Sequence, residues 1–244
     1  MKILAFNGSP RMTNGVTDRV LQKFMDGAKE AGAETEIIYP AKENIKFCAG
    51  CFSCWIIHPG KCIHKDDMPI IIKKFKEADT IVFASPVYVD GITAQLKKLI
   101  DRLITASSPF IEERDGHQRH PNSDDNNATK IAFISTSGFG EKDNFDPLIH
   151  HIQAMASNME SEFVGSLLRP MAPGMEDYYN PDPEIVELIL NSFRQAGHEL
   201  VTKGKISEDI QEACSTPLFT MEEFQRRAND MFERFIKKAD TKKE

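Results

Sequence analysis

Four cysteines fall within fifteen residues, Cys48, Cys51, Cys54 and Cys62, in the pattern C-x2-C-x2-C-x7-C. Thiolates this close together suit a [4Fe–4S] cluster, since bacterial ferredoxin runs use the same C-x2-C-x2-C spacing. A Zn2+ site is a second reading, although zinc ligands more often form two pairs with a longer insert. Plain thiols or a redox pair are a third. His58 and His64 flank Cys62 and read as alternative ligands or as surface loop residues. Cys214 stands alone downstream and reads as a buried apolar residue.

A second chemical feature is the stretch Gly8-Ser9-Pro10-Arg11-Met12-Thr13-Asn14-Gly15-Val16-Thr17. It follows a short apolar run and opens a helical pattern. At such a junction the free backbone N–H groups and the helix dipole favour an anion. Ser9, Thr13 and Thr17 carry hydroxyl donors, and Arg11 can form charge-assisted bonds to phosphate oxygens. Asn14-Gly15 suits a turn with positive φ. The stretch is not a P-loop, because Gly8 and Gly15 are too far apart and no Lys follows. It is not G-x-G-x-x-G either. Without the P-loop Lys, the hydroxyl-rich loop fits one terminal phosphate better than a triphosphate. An ordinary capped βα turn is the alternative.

The elements that must position these loops follow from hydrophobic period and punctuation. Strands are expected at 2–7, 34–39, 80–84, 129–135 and 163–168. Helices are expected from about 17 to 28, 66 to 78, 93 to 104 and 146 to 158. Asp66-Asp67 reads as a helix cap. Residues 106–128 are polar and read as an excursion loop. Two further helices, near 184–203 and 221–239, form a C-terminal extension. The predicted division is 1–170 and 171–244, with the extension packed on the same domain. Five alternations of strand and helix predict a parallel sheet with helices on both faces, most simply in the order 2-1-3-4-5. Ligands of such sheets sit beyond the carboxyl ends of the strands, at the point where the order reverses. That places a site among residues 8–17, 85–92 and 136–140.

Two of those loops add detail. In Ser85-Pro86-Val87-Tyr88-Val89-Asp90-Gly91, Pro86 and Gly91 shape a turn suited to a planar ligand, and Tyr88 can pack on a ring or bond through its hydroxyl. Half-buried packing is the plainer role for Tyr88. Ser137-Gly138-Phe139-Gly140 permits close backbone approach, as would any strand-ending turn.

On Asn7-Gly8-Ser9-Pro10-Arg11, Asn14-Gly15, Thr17 and Ser85-Pro86-Val87-Tyr88…Gly91-Ile92-Thr93-Ala94-Gln95-Leu96-Lys97…Asp101-Arg102, the chain resembles the NAD(P)H-dependent FMN reductase and iron–sulfur flavoprotein group of the flavodoxin-like superfamily. The resemblance implies a flavodoxin-like α/β three-layer sandwich with non-covalent FMN. The FMN-binding residues it implies are Ser9, Arg11, Thr13, Asn14, Gly15, Val16, Thr17, Pro86, Val87, Tyr88, Val89, Gly91, Ser137 and Gly138. It implies NAD(P)H as co-substrate, flavin-borne chemistry with no protein acid or base, and a homodimer or homotetramer. Cys48, Cys51, Cys54 and Cys62 resemble that group's cluster motif, although its last gap is shorter than seven. The function expected is electron transfer from NAD(P)H, or a ferredoxin-like protein donor, through FMN to a small-molecule or protein acceptor. An electron carrier with no substrate of its own, and a Zn-stabilised module binding a phosphate ligand, are the alternatives.

Composition bounds these readings. The 244 residues carry a formal net charge of −7, which argues against a nucleic-acid partner. No apolar run approaches bilayer length and no signal-peptide pattern opens the chain. The expected compartment is the cytoplasm, where structural disulfides are rare.

Overall fold

The structure, a computed structural model, describes residues 1–122 and 130–241. Its centre is a parallel sheet of β1 (Lys2–Asn7), β2 (Glu34–Ile38), β3 (Thr80–Pro86), β6 (Lys130–Thr136) and β7 (Glu162–Arg169). The strand order is β2-β1-β3-β6-β7. This is the expected 2-1-3-4-5 arrangement, because β4 (Glu112–Arg114) and β5 (His117–Arg119) form a separate antiparallel hairpin. The hairpin corrects the reading of 106–128 as loop alone; residues 123–128 of that stretch lie outside the described residues. Its strands were illegible because all their side chains are polar.

The inner strands β1, β3 and β6 are apolar and buried on both faces, as parallel sheets covered by helices require. One face carries α1 (Val16–Glu30) and α6 (Pro183–Lys203); the other carries α3 (Met68–Glu77), α4 (Ala94–Ile100) and α5 (Asp146–Asn158). A short α2 (Ser53–Ile56) lies in the cysteine loop. The C-terminal part adds α7 (Glu208–Cys214), absent from the sequence reading, and α8 (Met221–Asp240).

Helix α6 lies directly on α1. A Cβ built at Gly27 would stand 1.8 Å from the Arg194 carbonyl oxygen, and one at Gly197 would stand 1.9 Å from that of Phe24. Only glycine permits this backbone approach. Phe24, Ala28, Phe193 and Ala196 complete the contact and are wholly buried.

Two further departures from the sequence reading concern helix ends. Asp67 precedes α3 without capping it; its carboxylate accepts from Asn44 N instead. The helix read at 93–104 ends at Ile100 and continues as a 3-10 segment to Ala106, with Thr93 as a true N-cap.

Candidate functional site

The carboxyl ends of β1, β3 and β6 converge on one open cavity of about 260 Å³. Its wall includes Ser9, Arg11, Gly15, Val16 and Thr17 from the first loop, Pro86, Val87 and Tyr88 from the second, and Ser137 and Gly138 from the third. Thr13, Asn14, Val89 and Gly91 lie off this wall. Thr136, within the expected 136–140 loop though not singled out there, is on it, as are Ala172 and Pro173, which the sequence did not suggest. Thr136 is the last residue of β6, at the strand's carboxyl end.

The first loop is built from its own side chains. Asn7 is buried; its amide donates to Asp18 Oδ1 at 2.9 Å, and its carbonyl oxygen accepts from Ser9 N at 2.9 Å. Tyr39 donates to the same Asp18 oxygen at 2.7 Å. Burial, together with that bond and charge, pushes the Tyr39 phenol up to about 12. The loop's left-handed residue is Met12, at φ 48°, not Gly15, which is extended at φ −109°. Gly15 is needed for space: a Cβ there would meet Ser9 Oγ at 3.1 Å and Arg11 Cβ at 3.2 Å. Among the described residues, the N–H groups of Val16 and Thr17 have no backbone acceptor outside the helix, as at any first helical turn. The Thr17 and Thr136 hydroxyls are 2.8 Å apart. Arg11 is half exposed and lies 3.5 Å from Glu176. These donors fit a phosphate.

The loops are locked to one another. Gly8 N donates to Ala84 O at 2.8 Å, and Thr93 Oγ1 donates to Gly8 O at 2.6 Å. Val87 N donates to Thr136 O at 2.8 Å, and Ala172 N to Ser137 O at 2.8 Å. Beyond Tyr88 the chain turns through Val89 and Asp90 at φ 47° and 56°, closed by paired bonds between Tyr88 and Gly91. A β-branched residue in the left-handed region is strained. The second loop therefore projects an exposed tip, with Tyr88 half exposed at its base.

The four clustered cysteines border a second, small apolar cavity. Left-handed Gly50 and Phe52 turn the loop back on itself, and Trp55 fastens it by donating to the carbonyls of Ile104 and Ser107 at 3.2 and 3.0 Å. Burial pushes the Cys54 thiol up, and Cys62, Cys48 and Cys51 add to the shift. Among the described residues no three His, Cys, Asp or Glu side chains converge as ligands of a single ion. The thiols surround a space instead. Four buried side-chain N or O atoms lack a partner among the described residues, and two of them, His64 Nε2 and Arg102 Nε, belong to residues of this cavity wall. Four thiols with two unpartnered nitrogens beside them fit a cluster whose sulfurs accept hydrogen bonds. His58 is not on this wall. Cys214 is buried far away in the other core layer, its thiol pushed up to about 12 by burial.

The fold and the first cavity define a chain of the flavodoxin-like class. The profile of the NADPH-dependent FMN reductase family matches residues 1–166, and the chain belongs to that family. An iron–sulfur flavoprotein of Methanocaldococcus jannaschii is 43% identical over 102 residues, 42% of this chain and 51% of that protein. One from Methanosarcina thermophila is 36% identical over 104 residues, 43% of this chain and 53% of that protein. The chain thus spans about half the length of the curated relatives it matches. Among solved structures, an FMN-dependent NADH-azoreductase from Bacillus anthracis, in complex with FMN, superposes with a TM-score of 0.57 at 18% identity, covering 83% of this chain and 98% of that one. An NAD(P)H:quinone oxidoreductase from Methanothermobacter marburgensis gives 0.56 at 18% identity, covering 82% and 96%. These two likenesses show the fold.

Proposed function

We propose that the chain is an FMN-dependent oxidoreductase taking electrons from NAD(P)H or a reduced protein donor and passing them to a small-molecule or protein acceptor. The observation that carries this reading is the convergence of the anion loop and the Pro86–Tyr88 loop on one cavity at the sheet's switch point. Ser9, Thr17 and the first-turn N–H groups would hold the phosphate, with Arg11 as the cation beside them. Thr13 and Asn14 shape the loop from outside the wall. Pro86, Val87, Tyr88, Ser137 and Gly138 would border the ring, while Val89 and Gly91 form the turn that supports them. FMN supplies hydride and one-electron chemistry when bound, and a cluster supplies one-electron transfer. No side chain need act as acid or base. The exposed thiols Cys48 and Cys51, with Cys54 and Cys62, would ligate a [4Fe–4S] cluster. Among the described residues, no helix is long and apolar enough to cross a membrane. We place the working protein in the cytoplasm, as a homodimer or homotetramer.

An anaerobic visible spectrum with iron and sulfide analysis tests the reading. Flavin bands with about four irons per chain are expected. A colourless protein containing zinc would sink it in favour of a phosphate-ligand binding module. The cysteine cavity also supports a second reading, an electron carrier without its own substrate. Direct bleaching of the flavin by NADH or NADPH separates the two, because a carrier would not bleach.

A further inference from the structure

Arg169 ends β7 and its side chain is wholly buried. Its Nε donates to Pro170 O at 2.7 Å and its Nη1 to Cys214 O at 3.0 Å. Its Nη2 has no partner among the described residues, and no carboxylate there offsets its charge. Burial pulls the guanidinium down to about 10, so it is still charged at neutral pH. A buried charge without a counter-ion is costly and is normally neutralised by a partner or ligand.

Arg169 stands on the wall of a cavity of about 620 Å³, within the size range of small-molecule sites. The rest of that wall is mainly apolar: Met171, Leu218, Phe219 and Met221. Two other charged residues reach it, and both are already paired, Lys142 with Glu212 at 2.5 Å and Glu223 with Arg227 at 2.6 Å. Arg169 is therefore the cation left for an incoming group. This cavity is distinct from the one assigned to FMN but shares its supports. Segment 137–140 gives Ser137 and Gly138 to the first cavity and Gly140 to the second; segment 169–173 gives Arg169 to Met171 to the second and Ala172 and Pro173 to the first.

We propose that this cavity binds a small organic anion with an apolar, preferably aromatic, body, its carboxylate or other anionic oxygen taken by Arg169 Nη2. The aromatic ring of Phe219 and the polarisable thioethers of Met171 and Met221 suit a flat ring. Occupancy bears on both backbone segments that border the FMN cavity, so the ligand is either the electron acceptor or an effector of that site.

The test titrates FMN-saturated protein with fluorescent 2-naphthoate, using 2-naphthol methyl ether and inorganic phosphate as controls for ring and charge. Saturable binding of naphthoate, at least tenfold tighter than either control, is expected. Arg169→Gln should weaken it tenfold or more, and Arg169→Lys by less. Met221→Trp, at a half-exposed position at the start of α8, should block it while leaving Arg169 in place, with unchanged circular dichroism and FMN binding showing an intact fold, so the proposal is still decided if the Arg169 variants fail to fold. Absence of saturable binding to the wild type, or binding unchanged in Met221→Trp, would overturn the proposal. Because FMN is saturating throughout, failure here is separable from failure of the FMN reading, which the visible spectrum decides.

Discussion

Asp66 Oδ2 accepts a hydrogen bond from Arg102 Nη1 at 2.6 Å, with side chains 0% and 1% exposed. Asp66 also accepts from Lys46 N and Met68 N, and Arg102 donates to Lys46 O at 2.7 Å. The pair thus clasps both ends of the cysteine loop to the segment after α4. Removing one partner of a buried pair leaves an uncompensated charge. Asp66→Ala is expected to destabilise the fold by about 3–5 kcal/mol, read as a lowered urea midpoint. A loss below about 1 kcal/mol would mean that the clasp is dispensable.

The same pair makes acid stability predictable. Burial alone would raise the Asp66 carboxyl, but Arg102 and the two backbone donors outweigh it and hold it below the ordinary value. The folded pKa lies below the unfolded one, near 3.9. The stabilisation is therefore complete well above about pH 4 and is lost as the pH falls through the depressed folded value. Urea midpoints of the wild type should drop more steeply than those of Asp66→Asn below about pH 4, and parallel curves would contradict the assignment.

Arg11 is expected to contribute one charged hydrogen bond to the FMN phosphate. Arg11→Ala should weaken FMN binding by about 1.5–3 kcal/mol, roughly 10- to 150-fold. The quenching of FMN fluorescence on titration measures this. Glu176, 3.5 Å from Arg11, competes for it, so Glu176→Gln should leave affinity unchanged or tighter.

His64 Nε2 and Arg102 Nε are the unpartnered nitrogens beside the four thiols. If they donate to a cluster, His64→Phe removes one bond to its sulfurs. A bond worth about 1 kcal/mol corresponds to a one-electron shift on the order of 40 mV towards lower potential. A redox titration followed by visible absorption checks this, with iron content confirming that the cluster is retained. An unchanged potential would remove His64 from the site.

Much of the architecture was legible because buried parallel strands are plain apolar runs, as at Ile81–Ala84 and Ile131–Ile134. Their order then placed the three loops. What escaped depends on partners distant in sequence. Asp66 does bond the first N–H of α3, as a cap would, but its pairing with Arg102, 36 residues away, is invisible in the sequence. Ala172 and Pro173 reach the cavity only because β7 delivers them there. The 112–119 hairpin has no apolar alternation, and α7 is too short for a period. Met12, not Gly15, takes the left-handed turn, since local composition cannot say which residue of a tight loop bears the strain.

The Gly27–Gly197 crossing allows a direct check. Gly27→Ala places a methyl against a carbonyl oxygen of α6 that no rotamer change can relieve. A loss of about 3 kcal/mol or more is expected, the upper range for overpacking. A midpoint equal to that of wild type would show that the helices part freely.

That crossing also ties together two stretches of chain of different standing. Position 27 lies within the family-matched residues 1–166, whereas position 197 lies beyond them. The family-matched part therefore carries, at Gly27, the imprint of a helix that the match does not reach. In this chain the two parts cannot be varied independently, because a side chain at either glycine would push the other part's backbone away.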